Sequence, residues 1–185
     1  TGAYIGTITT NPGAVLAIGS GNIISSGGAA IVNGGVLTID GGAVIGKITN
    51  NGGTITEKAD YNMALLADVA TMQKALNVAI DGQGVKFAQD IEDNLTVPQS
   101  PDTKITIDGD NKTMKGYIVV DGKSLAYPTT GTTIKNVHFD ASAISLGASV
   151  NLGDGGNTTR YTNNVTVDNC TFKGDIAKAA VKSYQ

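Results

Sequence analysis

The residues of this chain that could do chemistry sit in a few polar clusters. Asp108-Gly109-Asp110-Asn111 brings three oxygen-bearing side chains into one tight segment, the donor type that holds calcium. It lacks the spacing and closing Glu of an EF-hand loop, and Asp-Gly is first a turn signal. A structural turn is therefore expected there, with Asp108 and Asp110 the only metal candidates. Asp154, Asn157, Arg160 and Tyr161 lie in residues 151–164, a stretch that contains Gly153-Asp154-Gly155-Gly156-Asn157 and no apolar rhythm. A long loop bearing a carboxylate, an amide, a guanidinium and a phenol could contact a sugar, against the plainer reading of a solvated loop. No two carboxylates share an expected strand face at glycosidase separation. On this basis no catalytic residue and no cofactor is assigned.

The elements that must carry these clusters are β-strands. Ile134-Lys135-Asn136-Val137-His138-Phe139 matches Val167-Asp168-Asn169-Cys170-Thr171-Phe172, 33 residues later. Each copy runs apolar, polar, Asn, apolar, polar, aromatic, which period-2 strand geometry divides into a core face and a water face. The Asn fits a tight turn, because its short amide tolerates left-handed backbone, and stacked Asn residues can bond to one another as a ladder. Recurrence of this kind points to a solenoid, here one turn of a parallel β-helix. Inward residues should include Ile107, Val137, Phe139, Val167, Cys170 and Phe172. Cys170 takes the register of Val137 and reads as a small buried hydrophobe, not a nucleophile. The outward residues are Lys135, His138, Asp168 and Thr171. His138 falls beside Thr171 with no carboxylate in register. Lys135 beside Asp168 would be an exposed ion pair worth roughly 0–1 kcal/mol.

Upstream, residues 1–58 read as apolar bursts separated by Gly pairs, such as Gly27-Gly28, Gly34-Gly35 and Gly41-Gly42. Asn33-Gly34-Gly35 and Asp40-Gly41-Gly42 are turn signals between short strands. The density of Val, Ile and Leu argues for an ordered Gly-rich β segment over a flexible linker. Leu65, Leu66, Val69, Met72, Leu76, Val78 and Ala79 then trace one apolar helical face, with the helix placed at 69–79. Asp60, Asn62 or Asp68 is the expected N-cap and Asp81-Gly82 the stop. Such a helix would shield the open end of a strand stack. Short strands follow from Val85, Leu95, Lys104 and Gly116 onward. The division expected is 1–58, a Gly-rich β segment, and 59–185, a capping helix plus parallel β-helix. Residues 176–185 read as the start of a further turn without a cap. A chain that continues, or associates with itself through open ends, is expected.

The run from Thr71 to Gly116 resembles the opening of pectate-lyase-like right-handed β-helices in bacterial surface proteins. Met72-Gln73-Lys74-Ala75-Leu76-Asn77-Val78-Ala79 stands where the family has its capping helix. Gly84-Val85-Lys86-Phe87-Ala88-Gln89-Asp90-Ile91 stands where it has a first strand. Ile105-Thr106-Ile107-Asp108-Gly109-Asp110-Asn111-Lys112-Thr113-Met114 matches its Ile-Asp-Gly turn leading to Lys-Thr and an apolar residue. The resemblance covers roughly 68–175 and implies a mainly β, right-handed parallel β-helix with one N-terminal capping α-helix. The Gly-rich N-terminal part resembles, more loosely, the repeats of autotransporter passengers and adhesins. Fold is better specified than function, because lyases, hydrolases, tail spikes and adhesins share the architecture. Asn-x-Thr triplets begin at Asn94, Asn111, Asn157, Asn164 and Asn169. In a bacterial protein they reflect Asn- and Thr-rich β sequence, not glycosylation.

Composition narrows the function classes. A net charge of −3 offers no basic stripe for nucleic acid. No run of 18 apolar residues exists to span a membrane as a helix. The start at Thr1-Gly2-Ala3 enters β-like sequence directly, with no signal peptide, and reads as a processed or cut chain. Aromatics are 5% of residues and Trp is absent, so sugar platforms are few, with Tyr117, Tyr127 and Tyr161 the best. The expectation is a non-catalytic, extracellular, adhesin-like or surface-structural bacterial module, with a glycan or host surface as candidate partner. The alternative is a carbohydrate-active enzyme, a polysaccharide lyase or tail-spike-like depolymerase.

Overall fold

The computed structural model describes residues 2–98, 103–121, 123–124, 129–143, 148–153, 160–174 and 179–183. The N-terminal strands are β1 (Ala3–Ile5), β2 (Ile8–Thr10), β3 (Val15–Ile18), β4 (Asn22–Asn33), β5 (Val36–Ile39), β6 (Ala43–Asn50), β7 (Thr54–Glu57) and β8 (Met63–Leu66). Helix α1 (Val69–Val78) follows, then β9 (Gly84–Phe87), β10 (Leu95–Val97), β11 (Thr106–Met114) and β12 (Ile118–Val120). The remainder are β13 (Lys123–Ser124), β14 (Thr129–Thr130), β15 (Thr133–Asp140), β16 (Ala148–Leu152), β17 (Arg160–Asn163), β18 (Thr166–Asp168), β19 (Thr171–Lys173) and β20 (Ala179–Ser183).

The protein is mainly β and its pairing is parallel, apart from the antiparallel pair β13–β17. One sheet runs β8-β9-β11-β15 and ends on β18 and β19, both paired to β15; a second runs β10-β12-β16-β20. From β9 onward the chain alternates between these two, with the short β13-β17-β14 sheet inserted. Before β8, the strands divide between β1-β4-β2 with β6 on β4, and β3-β5-β7. Parallel strands cannot be joined by tight hairpins, so each return needs a long excursion. Gly34-Gly35 and Gly41-Gly42 lie in such connections, whereas Gly27-Gly28 lies inside β4, where its register with β6 shifts. Gly42 has φ +73°, and a Cβ on Gly35 would collide with the Ala14 carbonyl on the neighbouring strand.

Of the expected inward set, all but the exposed Phe172 lie in the core or pack against it. Ile107, Val137 and Phe139 are fully buried, and Val167 and Cys170 pack against the same cluster. Phe172 lies parallel to Phe139, ring centroids 5.2 Å apart, at the end of the sheet. This core crosses residue 58. Ile24, Ala43 and Ile45 of β4 and β6 share it with Met72, Ala75 and Leu76 of α1. Buried Gln83 fastens the two parts: its amide donates to the Val44 carbonyl (2.9 Å) and accepts from Gly46 N (2.8 Å) and Ile80 N (3.1 Å).

Helix α1 begins where Asp68 caps it, accepting from Thr71 N at 2.7 Å, and Gly82 (φ +82°) turns the chain after it. Two expectations change. Leu65 and Leu66 are not helical but belong to β8, where alternation buries Leu66 and exposes Leu65. Four residues of strand ahead of a helix mimic its apolar period, since both patterns allow neighbouring Leu residues. The stretch 151–164 is not wholly loop, because β16 extends to Leu152 and β17 starts at Arg160.

Candidate functional site

The Asp108-Gly109-Asp110-Asn111 segment is a bulge inside β11, not a projecting loop. Pairing with β15 slips between Asp108 and Lys112, and the extra residues Asp110 and Asn111 take φ +49° and +60°. Gly109 is required because a Cβ there would run into the Asn136 carbonyl and Val137 on β15. The bulge aims Asp108 along the sheet. Its Oδ1 accepts from Asp110 N (3.0 Å) and from Asn136 Nδ2 (2.9 Å), and Asn136 Oδ1 in turn accepts from Asn169 Nδ2 (2.7 Å). Asn136 and Asn169 both hold positive φ. The Asn of the repeated phrase thus does form a ladder, and Asp108 is its first rung.

Both carboxylates of the bulge are met by lysines. Lys135 Nζ is 3.4 Å from Asp108, Lys86 Nζ is 2.8 Å from Asp110, and Lys112 Nζ is 3.8 Å from Asp110. Burial alone would raise the Asp108 carboxyl. Hydrogen bonds from Asn136 and Asp110 N and the Lys135 charge outweigh it and hold the group below the usual carboxylate range. A cation here would have to displace ammonium groups. Among the described residues no group of three or more His, Cys, Asp or Glu side chains could hold a metal ion. Lys135 and Asp168 are register partners as the alternation requires, but the Lys135 ammonium reaches to Asp108. His138 Nδ1 lies 2.7 Å from Thr171 Oγ1. Burial pushes the Cys170 thiol up, away from the thiolate a nucleophile needs.

A second ladder is present in the Gly-rich segment. Thr10 Oγ1 donates to Asn33 Oδ1 (2.8 Å), and Asn33 Nδ2 donates to Asn50 Oδ1 (3.1 Å), with Asn33 fully buried. Further polar side chains bond across a fixed step of 23 residues. Asp81 accepts from Lys104 N, Asp90 from Thr113 N and Asn94 from Tyr117 N, at 2.8–3.0 Å, and Glu92 pairs with Lys115. These acceptors satisfy backbone groups of the next strand where the ladder between strands has stopped.

Two surface clefts accompany this framework. One, of about 440 Å³, is bounded by Ala67-Asp68-Val69 and by Gln89, Asp90 and Glu92. The other, of about 350 Å³, has Tyr61, Ile48, Ile55 and Ile80 as apolar walls and Lys47, Glu57, Asn62 and Asp81 as polar ones. Tyr61 donates to Glu57 Oε1 at 2.9 Å, and burial with that neighbouring carboxylate raises its phenol. Tyr61 is not among the aromatics expected from the sequence to offer a sugar platform, Tyr117, Tyr127 and Tyr161. Its Glu57 partner four residues earlier was the available signal, but four-residue spacing signifies contact only if the chain there folds back.

Of the loop candidates, Asp154 and Asn157 lie outside the described residues, as does Tyr127. Arg160 and Tyr161 open β17, where Tyr161 pairs with Lys123 and Arg160 with Ser124 through the backbone. Tyr117 is half-buried beside β12. No helix is long and apolar enough to cross a membrane among the described residues. Neither a protein-family profile, nor a curated protein, nor a solved structure matches this chain.

Proposed function

We propose that this chain is a non-catalytic structural module of a bacterial cell surface: a right-handed parallel β-helix of the pectate-lyase-like kind, capped by α1, that contacts a glycan or host surface. One observation carries the reading. Many of the outward polar side chains are committed to one another and to neighbouring backbone. Asp108, Asn136 and Asn169 form one rail, Asp81, Asp90 and Asn94 accept from the backbone amides of Lys104, Thr113 and Tyr117, and Asp110 and Glu92 are paired with lysines. A lyase or hydrolase instead keeps carboxylates and a base poised in a groove with pKa values tuned apart. Alternation of the chain between two parallel sheets supports a coiled path, and continuous cross-strand rails favour stiffness over chemistry. The same commitment of carboxylates argues against the depolymerase alternative.

The test is incubation of the purified chain with pectins, polyuronates and host-type glycans, followed by separate analysis of binding and of released products. The proposal expects retention on one or more glycans with no new reducing ends or unsaturated sugars. Catalytic release of either product would refute it.

A further inference from the structure

We propose that Asn51 is a site of spontaneous modification, its side-chain amide converting to a carboxylate through attack by the backbone nitrogen of Gly52. The fold protects the Asn33-Gly34 pair, which carries the same chemistry. This goes beyond the structural-module reading and does not depend on glycan contact.

Asn-Gly occurs twice in the chain, in Asn33-Gly34-Gly35 and in Asn51-Gly52-Gly53. The Asn amide is thermolabile, and a following Gly lets the backbone nitrogen swing toward it because no Cβ restricts the rotation. The deprotonated Gly52 nitrogen adds to Cγ of Asn51, the Cγ–Nδ2 bond breaks and ammonia departs, leaving a five-membered imide. Water then opens one of the two carbon–nitrogen bonds of that ring. Opening at Cγ gives aspartate, and opening at the main-chain carbonyl gives isoaspartate. Nothing is oxidised or reduced, and water is the only co-reactant.

The structure separates the two pairs. Asn33 is fully buried. Its Oδ1 accepts from Thr10 Oγ1 (2.8 Å), and its Nδ2 donates to Asn50 Oδ1 and to the Thr54 carbonyl (both 3.1 Å). The nitrogen that would attack it is occupied as well, since Gly34 N donates to the Thr10 carbonyl (2.9 Å) and to Thr10 Oγ1 (3.1 Å). Asn51 and Gly52, by contrast, lie exposed in the turn between β6 and β7. Among the described residues neither the Asn51 side chain nor Gly52 N has a hydrogen-bond partner. Gly52 has φ +86°, and a Cβ there would meet nothing within 4 Å. The turn is held on either side of the reacting groups, by Asn51 N donating to the Asn33 carbonyl (2.7 Å) and Asn50 Nδ2 to the Gly53 carbonyl (2.8 Å). Both products add a carboxylate and lower the formal charge of −3 by one. Isoaspartate also lengthens the main chain by one carbon beside the Asn50–Gly53 bond, at the end of the Thr10–Asn33–Asn50 ladder.

The experiment incubates the intact chain at mildly alkaline pH, folded and in guanidinium, and follows both sites by peptide mass mapping and enzymatic methylation of isoaspartate. Each site is compared with itself, which removes the effect of its sequence neighbours. Asn51 should convert in the folded chain at close to its denatured rate. Asn33 should slow on folding by about a hundredfold or more, as the need to break two or more buried hydrogen bonds implies. Asn51→Gln should stop carboxylate formation in this turn while leaving the circular dichroism unchanged. An Asn51 amide that survives in the folded chain, or Asn33 converting there as fast as Asn51, would overturn the proposal.

Discussion

Asn136 combines two duties that few side chains could share. It holds φ +55° and it both donates to Asp108 and accepts from Asn169. Asn136→Ala removes two hydrogen bonds and places a Cβ-bearing residue without compensation in left-handed backbone, for a loss of about 2–4 kcal/mol. Asn136→Gly loses the bonds but suits the backbone, and should be milder by about 1 kcal/mol. Urea unfolding with an unchanged slope checks both. Asp108 makes the rail sensitive to acid. Its carboxyl is held below the ordinary value when folded, because hydrogen bonds and Lys135 outweigh burial. That stabilisation is present above the unfolded value near ~3.9 and disappears as pH falls through the folded one. Asp108→Asn should therefore show a smaller further loss of stability below about pH 4 than the parent chain. Parallel urea titrations across pH 2–7 would reveal an equal loss if Asp108 carried no such role. The Asn rail was legible because the phrase is repeated. The place of Asp108 in it was not, since it meets Asn136 through the bulge at Asp110 and Asn111, which the repeated phrase lacks. The Thr10–Asn33–Asn50 ladder was hidden by unequal spacing, 23 and 17 residues.

At the scale of elements, α1 is short and rests on packing more than on intrinsic helix stability. Met72, Ala75 and Leu76 bury one face, and the helix touches β4, β6, β8, β9 and β10. Leu76→Ala should cost about 2–5 kcal/mol, because the surrounding strands cannot collapse into the space. A cost under about 1 kcal/mol would mean the helix is not seated on this core. Its position and the Gly82 stop could be read from the sequence, as the helical period and end signals agree, whereas Asp68 was one of three possible caps with Asp60 and Asn62. The fastening by Gln83 could not be read, because it reaches residues 44–46, joined only through folding. Likewise β8 was absorbed into the helix reading, and β17 was concealed in a polar stretch without apolar alternation. Strand order followed from the matched phrases only for the last pair, whereas the sheets of the Gly-rich segment depend on which distant strands meet.

Among the described residues, two of the parallel sheets end on β18, β19 and β20, where Val181 and Phe172 are exposed apolar side chains. Such an edge is a template for pairing. The chain should therefore associate with itself as concentration rises in sedimentation experiments, and Val181→Lys should reduce that association. A single monomeric species throughout would contradict this. The fold itself is tested most directly by nuclear Overhauser contacts between backbone protons. The account predicts parallel-strand cross-peaks joining Ile134 to Ile107 and Val167 in one sheet, and Val150 to Ile118 and Val181 in the other. Antiparallel cross-peaks at these positions, or strands of the two sheets paired with one another, would contradict the stacked architecture on which the proposed function rests.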